Sequence, residues 1–364
     1  MARTLSAALL TLVLAACGAS VAADPSAPPS TPSPTAAPTH EVPPPTPPPA
    51  TPGPTEPSAP EGHPAAGLTF VQSVDATTGR TEIFVVADDG SLRQVSGMSG
   101  QLPGAALPAW SPDGTLLAFG PPKIGAGMVF QVGLVNADGS DERAVGEGTK
   151  PQWSPDGTRI LFEELDGVHD ELPSMYLLDV ASGTVTDLGL GIAPRWLPDG
   201  ERIAFNRSDT DASGAFVDSL VVMTLDGSQP EQVMASGEAV TEGHWSPDGS
   251  AVLLVNDGVI SLAEPDGSAP RELANGFSPV WSPDAGRVLL GYETNSDGLP
   301  VLALIDRDGN ELWSGVVGEN AAWSADGTRL AVEITYPEPK VQVIDAASGE
   351  LLWETPGGQP AWKR

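Results

Sequence analysis

A five-residue phrase, Trp-Ser-Pro-Asp-Gly, recurs along this chain at intervals of about forty residues, and nothing else restricts its folding as strongly. Full copies stand at 110–114, 153–157 and 245–249. Near-copies occupy 196–200 (Leu for Ser), 281–285 (Ala for Gly) and 323–327 (Ala for Pro). Trp362 arrives one further interval on. A fixed period of this length marks an array of similar supersecondary units, stacked because none can bury its apolar face alone.

The stretch from Gly67 to Arg364 divides into seven units, each ending at one of these tryptophans. After each Asp-Gly turn comes a short apolar run: 116–119, 160–162, 203–205, 252–254, 288–290 and 330–332, with 68–71 opening the first unit. A second run follows, then a tight turn. Asp89-Gly90, Asp138-Gly139, Asp226-Gly227, Asp266-Gly267 and Asp308-Gly309 supply five such turns, and Ser182-Gly183 and Ser348-Gly349 the others. Dipeptides of this kind between apolar runs are strong hairpin signals. A weaker strand then leads to the Trp strand. No stretch carries a 3.6-residue period, so the region reads as all-β.

Four strands in each of seven units predict a seven-bladed β-propeller, with six or eight blades as the alternatives. The repeats resemble the WD40-like PD40 repeats of TolB-type propellers throughout residues 67–364. The TolB propeller itself has six blades and an added N-terminal α/β domain, and this chain departs from both. The resemblance also implies that the Trp strand is innermost and opens each blade. The run 68–95 then lacks an inner strand, which the segment ending at Trp362 would supply, closing the ring and pairing two open edges.

As structure, the phrase has a physical rationale. Pro presets φ at the first central turn position, Asp accepts bonds from the nearby backbone, and Gly takes the left-handed position. The large Trp ring fills space between blades. Trp110, Asp113 and Gly114 therefore read as scaffold, as do Trp153, Asp156, Gly157, Trp196, Asp199, Gly200, Trp245, Asp248 and Gly249. The same holds for Trp281, Asp284, Trp323, Asp326, Gly327 and Trp362. A catalytic reading of the aspartates fails because equivalent turns are spread around a ring.

The N-terminal part is of another kind. Arg3 precedes an apolar run, 5–16, too short to span a bilayer but suited to an export signal. Leu14-Ala15-Ala16-Cys17 resembles a bacterial lipobox, which implies a signal peptide over 1–16 and a lipid on Cys17, the chain's one cysteine. Cleavage after Val21-Ala22-Ala23 is the competing reading. Acyl chains contribute about 0.8 kcal/mol per buried methylene to anchoring. Residues 17–66 form a Pro/Thr/Ala-rich linker with no apolar set to bury, expected to be disordered. Extended as polyproline II, the stretch from Asp24 to Ala66 reaches about 130 Å, a stalk holding the propeller off its membrane.

The net charge is -31, with only 17 Lys and Arg, which argues against nucleic acid and favours cationic partners or simple solubility. Short turns fall on one face of a propeller. The opposite face collects the longer loops 74–80, 121–127, 164–173, 207–215, 293–299 and 336–340, and function is expected there and at the channel mouth. Asp209, Asp211 and Ser213 alternate like the start of a calcium loop, with Asp218 as a substitute closing ligand. A plain solvated loop is the competing reading, and no cofactor is assigned. Glu163, Glu164, Asp166, His169, Asp170 and Glu171 form the densest acidic cluster, read as solvated rather than as an acid–base site.

The sequence holds no Gly-x-Ser-x-Gly elbow and no His-Glu-x-x-His helix. The resulting expectation is a non-enzymatic envelope lipoprotein, monomeric, on the outer face of the cytoplasmic membrane or in the outer membrane. Its loop face would bind an envelope protein or surface ligand. A carbohydrate or small-ligand sensor is the alternative, and a hydrolase using loop-face carboxylates the third reading.

Overall fold

A computed structural model describes residues 62–363, apart from 76, 78–79, 98–104, 121–130, 165–172, 211–215, 227–231, 238–239 and 297. The expectations at Cys17 and the Pro-rich linker therefore lie outside the described residues. The described chain holds 28 strands in seven antiparallel sheets of four, and no helix. It is a seven-bladed β-propeller.

Six blades take their four strands in chain order, and the seventh is composite. There Gly358–Trp362 pairs with Leu68–Asp75, in the register Leu68↔Trp362 and Thr69↔Ala361. The Lys363 amide extends the closure by donating to the Gly67 carbonyl. Chain ahead of Gly67 also packs: Ala65 is fully buried and Arg329 donates to the Pro64 carbonyl at 2.9 Å.

The burial of each strand explains its composition. Second strands such as Leu116–Gly120 and Arg159–Glu163 lie between neighbouring blades and are buried on both faces, so they read as unbroken apolar runs. Outer strands such as Val185–Leu190 are exposed along nearly their whole length, which is why their sequence signal is weak. The core consists of seams. One seam joins Val71, Ile83 and Val85 to Trp110, Leu117 and Phe119 of the next blade. Each such fully buried side chain stabilises by about 1.5–3 kcal/mol relative to exposure.

The tryptophans stitch these seams with hydrogen bonds as well as bulk. Trp153 Nε1 donates to the Ala109 carbonyl, Trp196 Nε1 to that of Gln152, Trp281 Nε1 to that of His244, and Trp362 Nε1 to that of Ala322. In each case the acceptor is the residue before the Trp of the preceding blade. Arg159 and Arg287 lie 5.0 Å over the rings of Trp196 and Trp323, and donate to the Gly200 and Gly327 carbonyls.

The Ser-Pro-Asp-Gly turn repeats its bonding with its sequence. Ser111 Oγ donates to Asp113 Oδ1 at 2.6 Å, the Thr115 amide donates to the same oxygen at 3.0 Å, and Gly114 sits at φ 66°. Ser154 and Asp156, Ser246 and Asp248, Ser282 and Asp284, and Ser324 and Asp326 make the same pair. The serine hydroxyls hold the Asp113, Asp156 and Asp284 carboxyls below their ordinary value, and bring Asp248 to about 2. Where Leu197 replaces the serine, Asp199 accepts from the Glu201 and Arg202 amides instead.

Candidate functional site at the channel mouth

Each inner strand runs from the loop face toward its Trp at the turn face, so the residues three and four before the Trp ring the loop-face mouth of the channel. Six of these strands have a residue in the left-handed region at that place: Leu107, Lys150, Ala193, Ser278, Asn320 and Gln359, with φ between 47° and 52°. Pro follows in five of them. The extra residue breaks the ladder, as between Thr149 and Gln152, where Lys150 and Pro151 together face the single residue Phe162. It is a β-bulge that tips side chains and amides into the mouth. In the seventh strand, Val240–Trp245, Gly243 stands where the others have Pro or Ala, and the irregularity lies between Val240 and Glu242.

Freed from the ladder, the amides at the bulges find side-chain acceptors. Leu107 N donates to Gln359 Oε1 at 2.7 Å, Gln359 N to Glu333 Oε2 at 3.0 Å, and Ala193 N to Glu163 Oε2 at 3.0 Å. Glu333 also accepts from Asn320 Nδ2 at 2.7 Å, and Glu163 is in contact with Lys150 Nζ. Both carboxylates are buried, at 4% and 7% exposure. Glu163, read from sequence as part of a solvated acidic cluster, is instead a linchpin between two inner strands. Glu164 lies close to the Tyr176 hydroxyl at 3.4 Å, and the remainder of that cluster is outside the described residues.

Two cavities open from this ring. One, of about 270 Å³, is lined by Leu107, Lys150, Gln152, Asn320 and Gln359. The other, of about 380 Å³, lies against four consecutive inner strands and holds Arg195, Glu242, His244, Glu319 and Asn320, with Phe277, Pro279 and Leu302 as apolar wall. Asn320 lines both. In the larger cavity His244 Nε2 lies 2.5 Å from Glu242 Oε2, and an Arg195 guanidinium nitrogen 3.6 Å from the same oxygen. Burial pushes the His244 imidazole below its ordinary value, and the His244 hydrogen bond does the same for the Glu242 carboxyl. The pair therefore stands as a neutral imidazole and a carboxylate near pH 7. A carboxylate only accepts, so Nε2 carries the proton and Nδ1 keeps its lone pair.

None of Arg195, Glu242, His244 or Glu319 was singled out from sequence. They sit on three inner strands, with Glu242 and His244 two residues apart on Val240–Trp245, and the packing of consecutive blades brings them together. Of the residues singled out, Glu163 joins the ring and the others described lie elsewhere. The repeated Trp and Asp side chains occupy the seams and the turn face. Asp209 and Asp218 fall on the paired strands Arg202–Thr210 and Phe216–Thr224, and Asp211 and Ser213 lie outside the described residues. Among the described residues no group of three or more His, Cys, Asp or Glu is placed to hold a metal ion, and no helix is long and apolar enough to cross a membrane.

No protein-family model and no curated protein matches this chain. Solved structures do. TolB from Acinetobacter baumannii matches with TM-score 0.50 at 18% identity, over 81% of this chain and 66% of that one. This likeness to TolB is one of fold. An oligogalacturonate lyase in complex with manganese matches with TM-score 0.53 at 15% identity, over 79% of this chain and 85% of that one. A puromycin hydrolase matches with TM-score 0.55 at 16% identity, over 81% of this chain and 53% of that one. This TolB-like propeller thus spans just under two thirds of TolB and about half of the hydrolase. At such identities the likeness is one of fold, shared by TolB and by enzymes alike.

Proposed function

We propose that this protein is a cell-envelope binding module: a lipid-anchored propeller on a Pro-rich stalk that captures its partner at the loop-face mouth of the channel. One observation carries the reading. Apart from the bulges and their prolines, what the repeats make alike lies in seams and turns, while the polar side chains that differ from blade to blade gather at the mouth. Arg195 with Glu242 and His244 is present once, and the carboxylates of Glu163 and Glu333, which hold the bulges alike in two blades, meet Lys150 in one and Asn320 in the other. Unrepeated charged groups around a cavity of about 380 Å³ on a rigid ring fit a recognition site. The lipobox-like Leu14-Ala15-Ala16-Cys17 supports the envelope setting.

Affinity capture with the full-length tagged protein from envelope extract tests the reading. Species held by the native chain should be lost with Lys150→Ala or Arg195→Ala and kept with Asp138→Asn on the turn face. Equal recovery by every variant would remove the mouth as the recognition site. Labelling with radioactive palmitate, lost in Cys17→Ala, tests the anchor.

The His244–Glu242 pair favours a second reading, an acid–base enzyme. A histidine held by a carboxylate beside a cavity has the form of an oriented base. That reading requires a bound small molecule to be returned chemically altered, and the alteration to stop in His244→Gln.

A further inference from the structure

We propose that the larger channel cavity binds a small organic cation, an amine with a short apolar body. The inference rests on the channel mouth being a ligand site and adds the chemistry of its ligand.

The polar groups of the cavity separate into those already engaged and those left over. Glu242 is engaged by His244 at 2.5 Å and by Arg195 at 3.6 Å. Glu319 lines the same cavity and has no hydrogen-bond or ion-pair partner among the described residues. Asn320 gives its amide N–H to Glu333, which leaves its Oδ1 to accept. His244 has its Nδ1 lone pair, since Nε2 bears the proton. The unused groups are thus a carboxylate, an amide oxygen and an imidazole nitrogen. All three accept.

Two groups can still donate: the second Nδ2 hydrogen of Asn320, and the guanidinium of Arg195, whose charge is set against Glu242. The lining holds one cation against two carboxylates beside a neutral histidine, which leaves one negative charge uncompensated. A protein of net charge -31 adds a long-range field of the same sign. An ammonium head brings one positive charge and three donors, matching both the charge and the acceptor set. Phe277, Pro279 and Leu302 provide apolar wall for a short body, and about 380 Å³ is at the small end of ligand sites.

Isothermal titration of the full-length protein with n-hexylamine, 1-hexanol and hexanoate tests this, because the three probes share a body and differ in the head. The amine should bind saturably and more tightly than either of the others, and added salt should weaken it. Glu319→Gln should weaken amine binding at least tenfold with an unchanged melting curve, and Asp138→Asn should leave it alone. Hexanoate or hexanol binding as tightly as the amine would overturn the proposal, as would absent amine binding or an indifferent Glu319→Gln. Such a failure is separable from failure of the binding-module reading, whose captured species would still depend on Lys150 and Arg195.

Discussion

The indole N–H of Trp153 donates to the backbone carbonyl of Ala109 at 2.9 Å, across the seam between two blades. The same bond recurs at Trp196, Trp281 and Trp362. At Trp323 it is missing: Nε1 is buried with no hydrogen-bond partner. Replacing Trp by Phe should therefore have unequal effects. At Trp153 it removes a bond across the seam, whereas at Trp323 it removes an N–H already unpaired. Trp153→Phe should cost about 1–2 kcal/mol more than Trp323→Phe in urea unfolding. Equal losses would mean that the tryptophans act by volume alone.

Ring closure depends on Gly358–Trp362, which gives the N-terminal strands their inner partner. Removing residues 358–364 opens one strand edge and empties the seam filled by Trp362, which is 8% exposed. Melting should move sharply down, and the truncated chain should aggregate in size-exclusion chromatography. An unchanged melting curve would contradict a closed ring.

Gly157 occupies φ 72° in its turn, where a Cβ would lie 3.3 Å from Pro112 Cδ of the preceding blade. Gly157→Ala should destabilise by about 1–2 kcal/mol, since an L side chain in the left-handed region costs that much. Gly183 also has positive φ but open space around its Cβ, so Gly183→Ala should show the backbone part of the cost only.

Stability should fall with acid in two steps. His244 has a folded value below its ordinary 6.5 because burial and the Arg195 charge outweigh the attraction of Glu242. The unfolded chain then binds the proton more readily, so this contribution is present above pH 6.5 and is lost as pH falls below it. The turn carboxylates act lower down. Asp248, at about 2 when folded against 3.8, loses its contribution between those values. Unfolding measured against pH should lose the upper step in His244→Gln and keep the lower one. An upper step that survives the substitution would assign it elsewhere.

The architecture was legible because its signals are local and repeated. Asp113, Gly114 and their equivalents sit within one turn, so six copies in phase report both the turn and the blade count. Closure followed from counting strands on either side of Trp110 and Trp362. The site was not legible, because Arg195, the Glu242–His244 pair and Glu319 lie about forty residues or more apart, on strands of different blades. Glu242 and His244 stand two residues apart on one strand, and Arg195 and Glu319 look like isolated polar residues on two others. The ring does leave one mark in the sequence: Pro108, Pro151, Pro194, Pro279 and Pro360 each stand two residues before a Trp. Proline inside an inner strand marks a bulge or an unpaired edge, and here it marks the mouth.

The central claim is that the ring's two faces differ in role, with recognition at the loop-face mouth and scaffold at the turn face. Photo-crosslinking residues placed one at a time at Ser278, Asn320 and Gln359, and at Asp138, Asp266 and Asp308 on the opposite face, test this in intact cells. The account predicts discrete adducts from the mouth positions and none from the turns. Adducts from the turns alone, or none from any mouth position, would contradict it.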